Sequence, residues 1–128
     1  MIDPSEEQFS IDVSRVADDV ELVVVSGELD FGEAPDFGRT LQQLRDDGSR
    51  WFVLDLAGLH FIDSSGINAL VLASKATAAT GGALVAASAR QHVQRVFDIV
   101  KLSEFIPVES SVDEALRRIV WRRGLSAG

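Results

Sequence analysis

Phe61-Ile62-Asp63-Ser64-Ser65-Gly66-Ile67-Asn68-Ala69-Leu70 marks a strand-to-helix junction from which the rest of the chain can be read outward. An apolar strand ends there. An amphipathic helix follows, after an acid and two adjacent hydroxyls. The first amides of a helix lack intrahelical acceptors and carry partial positive charge, so negative charge is favoured beside them. A phosphoryl group received on Ser64 would leave the fold intact. The plainer reading is that Asp63, Ser64 or Ser65 is simply the N-cap. One side chain can cap while its neighbour faces solvent, and sequence physics does not choose between Ser64 and Ser65.

Upstream, Phe9, Ile11 and Val13 alternate with Ser10, Asp12 and Ser14, the period of an edge strand with one polar face. Ala17-Asp18-Asp19 is a turn. Leu22-Val23-Val24-Val25 is apolar on both faces and belongs inside the sheet, so the two strands form a hairpin. Asp30 to Glu33 is a loop, and Pro35 suits the first turn of a helix. Ala34, Phe37, Leu41 and Leu44 give that helix one apolar stripe, ended by Asp46-Asp47-Gly48. Trp51 to Leu56 is the next strand.

Downstream of the junction, Ile67, Leu70, Val71 and Ser74 mark a helix face, and Ala69, Ala73 and Ala76 allow close packing. Gly81-Gly82 stops this helix. Ala83 to Ala87 is a strand of small residues. Ser88-Ala89-Arg90-Gln91 fits a capping box before Val93, Val96, Phe97 and Val100. A short strand spans Phe105 to Val108. Ser111-Val112-Asp113-Glu114 is a second capping box, with Val112, Ala115, Leu116 and Ile119 inward. This alternation predicts a single α/β domain over 9–120, with residues 1–8 and 122–128 as flexible tails. Its sheet is mixed and mostly parallel, with about four to five strands, an N-terminal hairpin and about four helices packed against it.

Composition removes several function classes. The 128 residues suffice for one core. A net charge of −8 disfavours nucleic acid and anionic membranes, and suits a protein partner with a basic surface. There is no cysteine, hence no thiolate chemistry. No apolar run approaches the roughly 20 residues of a membrane helix, and the acidic start is unlike a signal peptide, so a cytoplasmic protein is expected. No metal-ligand spacing, P-loop or Rossmann glycine pattern is present, and no cofactor is expected. Serine hydrolysis is a remote alternative. His60 lies near Ser64 in sequence, but Ile62 stands where the nucleophile elbow has its first glycine. Gly27-Glu28-Leu29-Asp30 ends the second strand. In a parallel sheet its neighbour is the strand before Ser64, which brings Asp30 to the same edge as Asp63. The alternative is that Asp30 only orders the turn into the helix.

These residues resemble the STAS domain family, and within it the bacterial anti-sigma factor antagonists. Gly27-Glu28-Leu29-Asp30 is similar to the family's GELD turn, and Phe61-Ile62-Asp63-Ser64-Ser65-Gly66-Ile67 to its phosphorylation motif. The resemblance extends through Val93–Val100 and Pro107-Val108 to Glu114-Ala115-Leu116. It implies a non-enzymatic phosphoswitch. The unphosphorylated antagonist binds an anti-sigma factor that is also a serine kinase, releasing the sigma factor. Phosphorylation on Ser64, with Ser65 as second choice, ends binding, and a serine phosphatase restores it. Glu28, Asp30, Asp63, Ser64, Ser65 and Gly66 are the implied partner-binding residues. A STAS scaffold subunit of a signalling or transport complex, without a phosphoswitch, is the alternative. Two positions depart from the family pattern: Glu33, where Thr or Ser is frequent, and Lys101, where Gly is frequent.

Overall fold

The alternating N-terminal run forms strand β1 (Ser10–Ala17), antiparallel to β2 (Val20–Leu29), with Val13 opposite Val23. The computed structural model describes residues 8–127, so most of the expected N-terminal tail, residues 1–7, lies outside the described residues. Helix α1 (Ala34–Asp46) follows, then β3 (Trp51–Asp55), β4 (Leu59–Ile62), α2 (Ser64–Ala79), β5 (Ala83–Ala87), α3 (Gln91–Val100), β6 (Val108–Glu109) and α4 (Val112–Ala127). Helix α4 therefore continues through residues 122–127. The described residues hold six strands, ordered β1-β2-β3-β5-β6, with β4 also paired to β2. Every pairing except β1–β2 is parallel.

The strand count exceeds the expected four to five because the apolar stretch around residues 51–62 breaks. β2 pairs with β3 as far as Val24 opposite Asp55, then with β4 from Gly27 opposite Leu59. At the break the Asp55 carboxylate accepts from the Ala57 amide, and the Leu59 amide donates to the Leu56 carbonyl. The jog aims β4, and with it Ser64, at the C-terminal end of β2.

One sheet face is covered by α1, α2 and α3 over a core that includes Val23, Phe37, Phe52, Leu54, Leu70 and Phe97. α4 covers the other face through Ala115 and Ile119, against Val53, Val85 and Ala87. α4 packs on β3, β5 and β6, and Leu22 and Val24 on β2 stay half-buried. At the end of the sheet away from Ser64, the buried Glu21 carboxylate accepts from Ser49 Oγ at 2.9 Å and Arg15 Nε at 3.0 Å. That end is closed by polar ties.

Other local expectations need correction. No capping box forms at Ser88. Ser88 has a left-handed backbone and donates its amide to the Glu109 carbonyl, so Arg90 becomes the N-cap of α3 without a side-chain bond. The Phe105–Val108 strand shrinks to Val108–Glu109, because a 3₁₀ turn at Leu102–Glu104 occupies the approach. Ser111 does cap α4, its hydroxyl accepting from the Glu114 amide. Lys101 ends α3 with φ 57°, the left-handed conformation glycine favours, and a side chain there costs about 1–2 kcal/mol.

Candidate functional site

The junction and the β2–α1 loop meet at one sheet edge. Glu28 lies opposite Phe61 and Leu29 opposite Ile62, so the next residues of both strands, Asp30 and Asp63, leave the sheet side by side. Asp63 is the N-cap of α2, with extended backbone and Oδ1 accepting from the Gly66 amide at 2.9 Å. Its other oxygen, Oδ2, accepts from the Phe31 amide at 3.1 Å. One carboxylate thus starts the helix and fastens the neighbouring loop to it.

With Asp63 as cap, Ser64 occupies the first helical position and is exposed. The Gly66 and Ile67 amides are taken by Asp63. Those of Ser64 and Ser65 have no intrahelical acceptor and supply the positive end of the helix. Ser65 is half-buried and turns toward α1. Gly66 is buried, and a Cβ there would lie 2.2 Å from the Leu29 carbonyl oxygen. It sets the approach of α2 to β2 and presents no surface to a partner.

Asp30 orders the turn into α1. Its Oδ1 accepts from the Glu33 amide at 3.1 Å, and its carbonyl accepts from the Ala34 amide at 2.8 Å. Glu33 is the N-cap of α1 but makes no side-chain capping bond. Glu28, Asp30 and Glu33 line one small concavity with Gln8 and Phe9, a cluster of acids suited to a basic partner surface. Phe31 escaped the sequence reading. It is 78% exposed and stands beside Asp63. The available signal was an aromatic residue inside an otherwise polar loop.

Among the described residues, neither histidine hydrogen-bonds the Ser64 hydroxyl, and His92 Nε2 instead meets the His60 carbonyl. No group of metal ligands occurs among the described residues, and none of their helices is long and apolar enough to cross a membrane.

A family model of the STAS domain matches residues 13–115, spanning both motifs and the sheet from Val13 of β1 onward. The chain belongs to the STAS domain family. The Bordetella bronchiseptica protein BtrV, provisionally named an anti-sigma factor antagonist, is 30% identical over 77% of this chain and 84% of its own. The anti-sigma-B factor antagonist of Staphylococcus epidermidis is 28% identical over 75% of this chain and 89% of its own. The crystal structure of an anti-sigma factor antagonist from Mycobacterium paratuberculosis superposes with a TM-score of 0.75 at 24% identity. It covers 93% of this chain and 98% of that one, a likeness of fold.

Proposed function

We propose that this STAS domain is a cytoplasmic, non-enzymatic antagonist of an anti-sigma factor, switched by phosphorylation of Ser64. The unmodified form binds an anti-sigma factor that is also a serine kinase. Transfer of a phosphoryl group to Ser64 ends binding, and a serine phosphatase restores it. The names of the relatives support the antagonist role. The observation that carries the switch is the division of labour at the α2 N-terminus: Asp63 does the capping and leaves the Ser64 hydroxyl exposed. The hydroxyl can then be modified without loss of a cap.

Incubation with the cognate kinase and ATP should add one phosphoryl group, placed on Ser64 by fragmentation mass spectrometry. Ser64→Ala should abolish the addition. Full labelling of that variant on Ser65 would show that the other hydroxyl is the acceptor.

Asp30 is proposed to contribute charge to the partner surface. Asp30→Asn keeps an acceptor for the Glu33 amide, so stability should stay within about 0.5 kcal/mol of the parent. Its association with the kinase should slow several-fold, and the salt dependence of that rate should weaken, as for other charges at an interface rim. Unchanged association kinetics in stopped flow would remove Asp30 from the surface.

A further inference from the structure

A groove runs between α1 and α2, from Phe31 and Ser65 at the site edge to Arg45 and Ala76 toward the C-terminal ends of both helices. The small residues Ala69, Ala73 and Ala76 allow α2 to pack closely, Ala73 within the core, and they also line this opening with Gly38. Its volume is about 600 Å³, within the range of small-molecule sites. The span from Ser65 to Ala76 is about 16 Å of helix.

Arg45 is the single charged residue lining the groove. Its Nη1 is buried with no hydrogen-bond partner, and none of the ion pairs among the described residues includes it. Burial lowers its pKa, an effect that neighbouring Asp46 only partly opposes. A guanidinium partly withdrawn from water gains from a carboxylate that meets the donors it still presents. Ser65 and Asn68, the other polar lining residues, lie toward the opposite end, so the stretch between is apolar.

We propose that this groove binds a single-chain fatty carboxylate, its head on the Arg45 guanidinium and its chain along Ala73, Leu72 and Ala69 toward Phe31. The chain's net charge is −8, yet no acid lines the groove, and the charged group that an anion meets there is Arg45, with Asp46 as the acid nearby. A neutral or cationic amphiphile forfeits that contact. The site needs no kinase and no phosphorylation, and it stands or falls separately from the switch.

Laurate, kept below its micellar concentration, should be titrated into the ¹⁵N-labelled full chain, with dodecyl maltoside and dodecylamine in parallel. Saturable amide shifts are expected at Gly38, Arg45, Ala69, Leu72 and Ala76. Dodecyl maltoside should bind about tenfold more weakly or worse, as should laurate to Arg45→Gln, because a hydrogen-bonded charge pair is lost. Leu72→Glu changes a half-exposed helix position and should abolish laurate binding while the other amides keep their dispersion. If Arg45→Gln fails to fold, Leu72→Glu and the three head groups decide. Equal affinity for laurate and the maltoside overturns the proposal, as does laurate binding unaltered in Arg45→Gln or Leu72→Glu. Shifts centred on exposed Ile99 and Phe105 overturn it too. So do groove shifts that arise only on adding an anti-sigma protein, which would assign the groove to that partner.

Discussion

Phosphorylated on Ser64, the protein is expected to bind its anti-sigma partner about a thousandfold more weakly, a loss of about 4 kcal/mol, with its own fold nearly unchanged. Phosphoserine carries about −1.5 to −2 charges at neutral pH. In the free protein it occupies the exposed first position of α2, where the helix dipole favours it by roughly 0.3–1 kcal/mol. Asp63 repels it, but both Asp63 oxygens already accept from amides, of Gly66 and Phe31. Glu28, Asp30 and Glu33 share the neighbouring surface, where solvent and salt screen them over roughly 8–10 Å. These small opposed effects should move the melting temperature by no more than a few degrees. In the proposed complex the same dianion would be covered. Burial without new basic partners costs several kcal/mol, and that cost falls on the bound state alone. Calorimetry of both forms against the partner, beside circular dichroism and thermal melts of each alone, separates the two effects. A phosphorylated protein that melts much earlier or loses its helical signal would mean that the switch works by unfolding.

The residues behind this expectation were legible to different depths. The hydrophobic-Asp-Ser-Ser-Gly junction predicted a strand edge and a helix start, and β4 and α2 meet there. Adjacency of Asp30 and Asp63 followed from parallel pairing alone, and the register of β2 with β4 delivers it. Which of Asp63, Ser64 and Ser65 caps the helix was open, because Asp and Ser both do so. Asp63 is the cap, and its second oxygen also accepts from the Phe31 amide of a loop 32 residues earlier in sequence, a contact that no local pattern announces. The break between β3 and β4 was hidden because it comes from β2 changing partners, and Ala57-Gly58 is a faint turn signal by itself. At Ser88 the local pattern was a good capping box, but pairing with Glu109 overrode it. The groove has no periodicity to betray it. Small residues on two helices can close an interface or leave one open, and only the separation of the helices decides.

Gly66→Ala is expected to destabilise the domain by about 3 kcal/mol, the upper part of the range for overpacking a tight contact. The added Cβ would stand 2.2 Å from the Leu29 carbonyl oxygen and 2.6 Å from Ile62 Cγ1. Neither neighbour can turn aside. The carbonyl belongs to the backbone of β2, and Leu29 and Ile62 are both buried. The first turn of α2 must therefore lift from the sheet. That stretches both bonds of Asp63, at 2.9 Å to the Gly66 amide and 3.1 Å to the Phe31 amide, and shifts Ser64 against the β2–α1 loop. A displacement of about 1 Å at a reacting group can cost up to a hundredfold in rate, so phosphorylation of the folded variant should slow by at least tenfold. Gly38→Ala is the matched control. It lies inside α1 with nothing within 4 Å of the new Cβ, and alanine there should gain about 0.5–1 kcal/mol. Urea unfolding gives the stabilities. Phosphorylation rates, measured at a temperature where circular dichroism shows Gly66→Ala still folded, give the second readout. Parental stability in Gly66→Ala would show that α2 can yield without cost. A destabilised variant phosphorylated at the full rate would show that the placement of Ser64 against the loop does not matter to the kinase.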